Sequence, residues 1–352
     1  MGIYINNTFI SNINIKTGII PSNTLSISSQ GIIDVYNYKS VNINIPDKFY
    51  NFLKSTNGDI QSYNNSNITK IAPYAFYSTN LKNINTPNVS IIGSSAFAHC
   101  SSLTSINLPL CSYIGSSAFY SCFSLTSINL PNCTYIENSA FYSCSSLTSI
   151  SLPLCSSIEN YAFYNCSLLT SIDLLNCSYI GDYAFGYCSS LASISLPICS
   201  RIESYAFVGC RSLTSISLPN CSSIGNYAFY YCTSLTSIDL PLCTSIGSST
   251  FYSCRSLTSI NLPLCSYIGG YAFQYCSSLT SIDLPNCSYI GNYAFRYCSS
   301  LTSIYLMSTS IVSLGGSLAF RYTPMSNSTY TGTFGSIYVP SSLLASYKTK
   351  AN

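Results

Sequence analysis

The most reactive side chains in this chain are its nineteen cysteines, and all of them obey one spacing. From Cys100 to Cys298 they lie eleven residues apart without a gap. A structural zinc site needs thiolates converging on one point, usually from closely spaced pairs, and no such pair occurs. Even spacing spreads the sulfurs along an axis instead. Neighbours in a stack would have Cα atoms about 5 Å apart, near enough for a disulfide by distance alone. Equivalent side chains in a parallel stack point the same way, however, which opposes the ~90° dihedral of an S–S bond. Reduced, buried thiols acting as small hydrophobes are therefore expected, with occasional disulfides or a metal as the alternatives.

The other candidates for chemistry are few. His99 is the sole histidine and sits beside Cys100. A Cys–His nucleophilic pair needs the two side chains within hydrogen-bond reach. Adjacent residues here should point opposite ways, with Cys100 inward and His99 in solvent. Of ten carboxylates, Glu137, Glu159 and Glu203 share one register. Glu137 stacked over Glu159 could do acid–base work, but a solvated edge replacing a glycine is the plainer reading. No catalytic, cofactor-binding or metal-ligating residue is assigned, and an enzyme is not expected.

What positions these residues is a repeat. Leucine recurs every 22 residues from Leu81 to Leu301. A fixed period of this size signals a solenoid, in which each coil stacks on its neighbours and only the stack has a core. In the coil starting at Leu103 the apolar positions are Leu103, Ile106, Leu108, Cys111, Ile114, Ala118, Phe119 and Cys122. Leu103–Leu108 reads as a short strand with Ile106 and Leu108 on one face and Asn107 on the other. Pro109 ends it, since proline cannot donate to a ladder. The remainder, through Ala118 and Phe119, is too short for a regular helix and predicts turns or one helical turn. Stacked at ~4.8 Å per coil, eleven strands would form a parallel sheet roughly 50 Å long.

These residues resemble a known family. L-x-x-L-x-L-x-x-C is the core of a leucine-rich repeat, and I-G-x-x-A-F-x-x-C is the second half of its BspA-like subclass. The resemblance spans roughly Ile71 to Phe320. Cysteine after L-P-x, where BspA-like repeats more often carry an aliphatic residue, is a departure conservative in size. The expected fold is thus a leucine-rich-repeat solenoid of 22-residue coils, with one parallel sheet and short turns or helical turns opposite. Residues 1–66 are expected to form a β-rich module and linker, 67–320 the solenoid, and 321–352 a cap. The module, with Gly31, Asp34, Val35, Tyr38, Val41 and Pro46, resembles one common in gut Firmicutes and their phages. A short helix is expected over Asp47–Thr56 and a polar linker over Asn57–Asn67. In the tail, Ser336–Val339 reads as a last strand and Ser341–Lys348 as a capping helix. Ala319 and Phe320 arrive three residues late for the period, which marks an atypical terminal coil.

Composition narrows the function. Only 7% of residues are charged, the net charge is +3, and all eight lysines lie at or before Lys82 or at Lys348 and Lys350. That excludes the dense basic footprint of a nucleic-acid binder. No run of apolar residues is long enough to cross a membrane. The opening M-G-I-Y-I-N-N-T-F-I lacks the basic and apolar regions of a signal peptide. This favours a virion or particle-borne product, with a bacterial cell surface as the alternative.

The conspicuous residue is tyrosine, 32 copies with no tryptophan. Tyr161, Tyr183, Tyr205, Tyr227, Tyr271 and Tyr293 precede the inward Ala. Tyr187, Tyr231, Tyr275 and Tyr297 precede the inward Cys. Both sets should face outward. A surface of Tyr, Ser, Asn and Gly has the composition of a paratope, and stacked tyrosines shielding neighbouring coils are the competing reading. The strand face offers a second surface of Thr, Ser and Asn. It lacks the T-x-T spacing that suits ice, since its Thr-Ser pair is adjacent. The resemblance implies adhesion or protein binding. The expected partner is a protein or cell-surface glycan, with the N-terminal module attaching the arm to a larger assembly; an intracellular scaffold is the alternative.

Overall fold

A computed structural model describes residues 61–325 and 335–350, together with five short N-terminal strands. Those strands are Ile3–Ile5 paired antiparallel with Thr8–Ile10, and Leu25–Ile27, Gly31–Val35 and Val41–Asn42 in a second antiparallel set. The expected helix over Asp47–Thr56 lies outside the described residues. The rest is a β-solenoid of about 12 coils of ~22 residues, with parallel sheets and almost no helix.

Backbone contacts divide the chain into two units, Met1–Cys155 with Ala162–Asp173, and Ser156–Tyr161 with Leu174–Asn352. In the first, strands at Ser62–Asn64, Asn83–Asn85, Ser105–Asn107, Ser127–Asn129, Ser149–Ser151 and Ser171–Asp173 pair in parallel, in chain order. The register is one repeat, Ile106 opposite Ile128 and Ile150 opposite Ile172. In Ser105–Asn107, Ser127–Asn129 and Ser149–Ser151 the central isoleucine is buried and its two neighbours are exposed. The first strand falls in the stretch read above as polar linker. There Tyr63, 2% exposed, fills the inward place that later coils give to isoleucine. In the second unit the same pairing runs through Ser193–Ser195, Ser215–Ser217, Ser237–Asp239 and Ser259–Asn261. Ser281–Asp283 and Ser303–Tyr305 follow, and Ser336–Tyr338 pairs in parallel with Ser303–Tyr305. A 3₁₀ turn at Ser341–Leu343 and a helix at Leu344–Lys350 end the chain's described part.

Each coil holds a second ladder beyond the one the sequence suggested. Two-residue strands such as Tyr113–Ile114 and Tyr135–Ile136, or Tyr267–Ile268 and Tyr289–Ile290, also pair in parallel. Between the ladders and the turns lies a core built of identical columns. The leucines, isoleucines, alanines, phenylalanines and cysteines named above are buried in coil after coil. Phenylalanine rings stack along the axis, Phe97 on Phe119 at 5.1 Å and Phe207 on Phe229 at 5.4 Å. The late Ala319–Phe320 pair still reaches the column. Phe295 donates its N–H to the Ala319 carbonyl, and its ring stacks on Phe320 at 5.5 Å.

Candidate functional site

The segment leading through Ala and Phe to Cys is not helical. Alternate N–H groups point along the axis and back into the coil. In the first unit the N–H groups of Ser95, Phe97 and His99 bond to carbonyls of Ser116, Ala118 and Tyr120 in the next coil. Those of Ala96 and Cys100 turn back to Gly93 and Phe97 within their own coil. A turn closed from residue i+3 to residue i, with φ positive at i+2, is type II. Two such turns per coil place a left-handed residue before the Ala and another before the Cys.

These left-handed places are where the expected tyrosines stand. Tyr161, Tyr183, Tyr205, Tyr227, Tyr271 and Tyr293 have φ between +55° and +61°, and Tyr187, Tyr231, Tyr275 and Tyr297 between +58° and +64°. Gly or Asn normally serves there, and Asn165 and Gly209 are the coils that follow the rule. All ten face outward. Tyr161, Tyr187, Tyr231 and Tyr271 are exposed and the other six half-buried. They assemble into ladders. Tyr183 stacks on Tyr205 and Tyr205 on Tyr227, each at 4.5 Å, while Tyr275 stacks on Tyr297 at 4.7 Å. The residue after the inward Phe adds a further line, Tyr120 on Tyr142 and Tyr230 on Tyr252, each at 4.7 Å. Near-parallel stacking covers ring faces, so the turn face presents ring edges and hydroxyls. Burial among these rings raises the Tyr230 hydroxyl to about 12, with neighbouring tyrosines adding to it.

Elsewhere the polar side chains serve the stack. Thr126 Oγ1 donates to the Thr104 carbonyl at 3.0 Å, and Thr258 Oγ1 to Thr236 at 3.0 Å. Ser178 and Ser222 do likewise in their register. Asn129 Nδ2 donates to Asn107 Oδ1 at 2.8 Å, one rung of an amide ladder on the strand face. The hydroxyl donors of the strand-face threonines are thus committed to the neighbouring coil.

The nineteen cysteines are buried free thiols in two columns. One column donates to the Phe carbonyl of the preceding coil, as Cys122 does to Phe97 at 3.0 Å. The other donates within its own coil, as Cys111 does to Tyr113 at 3.3 Å. Burial raises Cys111 to about 11 and Cys221 to about 12, because a thiolate there would lose its hydration. Such thiols are poor nucleophiles near neutral pH. Cys100 bonds to the Phe76 carbonyl. His99 instead lies between Tyr77 and Tyr120, edge-on at 5.4 Å to each, so it is half-buried rather than freely solvated. Each glutamate has a local partner. Glu137 accepts from the Ser116 N–H at 2.8 Å and from the Tyr113 hydroxyl; Glu159 accepts from Ser157 at 2.6 Å; Glu203 pairs with Arg201. Among the described residues no group of three His, Cys, Asp or Glu could hold a metal.

Models of the BspA type leucine-rich repeat region match residues 69–175, 112–222, 156–263 and 222–341. The chain belongs to the BspA-type leucine-rich repeat family. No curated protein matches it. Among solved structures, a leucine-rich repeat protein from Bacteroides ovatus is similar at 24% identity and a TM-score of 0.67. That likeness covers 94% of this chain and 97% of the other. A leucine rich cell surface protein from Faecalibacterium prausnitzii is 26% identical, with a TM-score of 0.46 over 85% and 88% of the two chains. In this BspA-type chain, among the described residues, no helix is long and apolar enough to cross a membrane.

Two surface features escaped the sequence reading. Leu110, Leu154, Ile198, Leu242 and Leu264, which follow the coil proline, are all exposed. In other coils asparagine takes that place, and Asn132 there donates to the Pro109 carbonyl of the preceding coil. The arginines of the turn segment form the other feature. The signal was the register shared by the exposed leucines and isoleucine, and the confinement of Arg211, Arg255, Arg296 and Arg321 to the stretch after the inward Phe, which the tyrosine count overshadowed.

Proposed function

We propose that this protein is a non-enzymatic recognition or adhesion molecule whose tyrosine-lined turn face is its binding surface. The observation that carries the reading is the identity of the left-handed residues. The backbone there is best served by glycine or asparagine, and serine suffices at Ser117, Ser139 and Ser249. Ten tyrosines at such places serve something besides the turn. Membership of a repeat family built around extended surfaces supports the same reading. The commitment of the threonine hydroxyls to neighbouring coils favours the turn face over the strand face. The partner is a protein or cell-surface glycan met at a bacterial or phage surface, with the N-terminal module as the attachment end. Inert buried thiols tolerate an oxidising exterior as well as a reducing cytosol, so the cysteines do not oppose that location.

The test is Tyr183→Ser/Tyr205→Ser/Tyr227→Ser in the full chain. Aromatic anchors commonly supply about 2 kcal/mol each, roughly thirtyfold in affinity. Binding of the labelled variant to whole bacterial or host cells should collapse while its circular dichroism is retained. Retained binding with a lost fold would make the tyrosines structural shielding and shift recognition to the strand face. Detection by mass spectrometry in purified particles, on cell walls or in the lysate separates virion, cell-surface and scaffold settings.

A further inference from the structure

In the second unit, the stretch from the inward Phe to the next coil's Leu carries charge of one sign. Arg211, Arg255, Arg296 and Arg321 lie there, and no Asp or Glu occupies the equivalent place in any coil. The acids of that unit stand elsewhere in the coil. Asp239 and Asp283 are on the three-residue strands Ser237–Asp239 and Ser281–Asp283, and Glu159, Asp182 and Glu203 open the turn segment. Among the described residues the single ion pair is Arg201–Glu203, so these four arginines have no acidic partner there.

Tyrosines hold two of them in place. The Arg296 guanidinium carbon lies 4.7 Å from the Tyr297 ring centre and 5.1 Å from that of Tyr293. Arg321 lies 4.7 Å from Tyr322. A guanidinium packed by its plane keeps its N–H edges for an acceptor. At Arg296 one nitrogen reaches the Tyr297 hydroxyl at 3.3 Å, while Nε is buried without a hydrogen bond. Arg211 and Arg255 are exposed. The positive field of Arg296 and Arg255 also acts on the Tyr252 hydroxyl, against the burial that raises its pKa.

We propose that this arginine- and tyrosine-lined turn face of the second unit binds an acidic polysaccharide through its carboxylate or sulfate groups. The proposal rests on the turn face being the recognition surface. Two features select this chemistry over other polyanions. Single-stranded nucleic acid is held by bases stacking on open aromatic faces. Here Tyr275, Tyr297 and Tyr322 cover one another at 4.7 and 4.6 Å, with ring planes within 6° of parallel. A peptide added as a further strand would need free main-chain donors on this face. The N–H groups of Phe251, Ser253, Phe273 and Tyr275 are already donated to the next coil. What remains is a row of phenol edges spaced by the coil at about 4.8 Å, with guanidinium forks two coils apart from Arg211 through Arg255 to Arg296 and then in the next coil at Arg321. A linear chain of repeating hydroxyl and anionic groups meets that row with hydrogen bonds and bidentate ion pairs.

The experiment measures binding of the full chain to immobilised heparin, polygalacturonate and neutral dextran, with poly-dT as a further probe. Retention on an anionic polysaccharide, none on dextran, and weakening with salt are expected. Arg255→Gln/Arg321→Gln should raise the dissociation constant about tenfold or more, as charge-assisted contacts are lost. Lys70→Gln/Lys82→Gln, exposed lysines of the first unit, removes the same charge and should leave affinity unchanged. Arg296→Lys keeps the charge but not the fork, and should weaken binding with the melting temperature held. The proposal is overturned by no retention on either anionic polysaccharide, by equal loss in the lysine variant, or by tighter binding to poly-dT. Loss of cell binding in the tyrosine-to-serine variant without polysaccharide retention would overturn this inference alone and leave the recognition surface standing.

Discussion

Tyr205 tests the turn segment most directly. Its φ is +60°, and its ring is stacked at 4.5 Å on Tyr183 and on Tyr227. A non-glycine residue in the left-handed region costs about 1–2 kcal/mol. Each aromatic pair contributes about 0.5–1.5 kcal/mol beyond area burial. Tyr205→Ala keeps the backbone cost and loses both pairs, so it should destabilise by roughly 1–3 kcal/mol. Tyr205→Gly loses the same pairs but is released from the left-handed penalty. Against that release stands about 0.5–1 kcal/mol of extra chain entropy lost on folding. Glycine should therefore be the more stable of the two by roughly 0.5–1 kcal/mol. Tyr205→Val should be worst, because a β-branched side chain is a true outlier at this φ. Urea unfolding of the three variants followed by circular dichroism gives the order directly. In an ordinary helix or strand interior alanine exceeds glycine, so an order of Gly above Ala above Val is diagnostic. Alanine matching or exceeding glycine would refute the left-handed turn and the reasoning built on it.

Three further outcomes follow from the same geometry. Phe229→Ala removes a fully buried ring stacked at 5.4 Å on both Phe207 and Phe251, and should cost about 3–5 kcal/mol in denaturant unfolding. Phe320→Ala, half-buried and stacked on Phe295, should cost clearly less; equal losses would argue against nearest-neighbour stacking. The native protein should resist alkylation by thiol reagents and react fully only once unfolded, and rapid native labelling of many cysteines would contradict the buried columns. Stability should fall above about pH 9, where thiols of the unfolded chain ionise while the folded ones stay protonated. The sign follows from raised folded values, about 11 for Cys111 and about 12 for Cys199. Their contribution is whole below pH 9 and is lost as pH rises, on the order of 1 kcal/mol per thiol by pH 10. A melting temperature unchanged between pH 8 and pH 10.5 would refute it.

The stacking register was legible because repetition is a global constraint: Ile106 has to face what Ile128 faces. The second ladder was not, since a two-residue strand such as Tyr113–Ile114 offers a single inward side chain and no alternation to detect. Left-handed residues were hidden for a different reason. Tyrosine and serine are not residue types that announce positive φ, and the usual signal surfaces only at Asn165 and Gly209. That the tyrosines face out could be read from the inward Ala and Cys beside them. That their rings cover one another could not, because it depends on rotamers repeated from coil to coil. His99 shows the same limit: its outward direction was readable, its place between two tyrosines was not.

Why such variety is tolerated on the turn face follows from how its backbone is satisfied. The left-handed places hold Ser95, His99, Asn165, Tyr205 and Gly209, and each donates its N–H to a carbonyl one coil on or keeps the same φ. The ladder is made by main chain, so the side chain there is not asked to support it. The strand face is different. Asn129 bonds to Asn107 and Asn261 to Asp239 at 2.7 Å, so a change in one coil leaves a polar partner in the next without its mate. A surface whose side chains can be exchanged without breaking the main-chain ladder is the one on which binding specificity can vary. By that argument the turn face, rather than the strand face, is where proteins built on this coil would be expected to differ in what they bind.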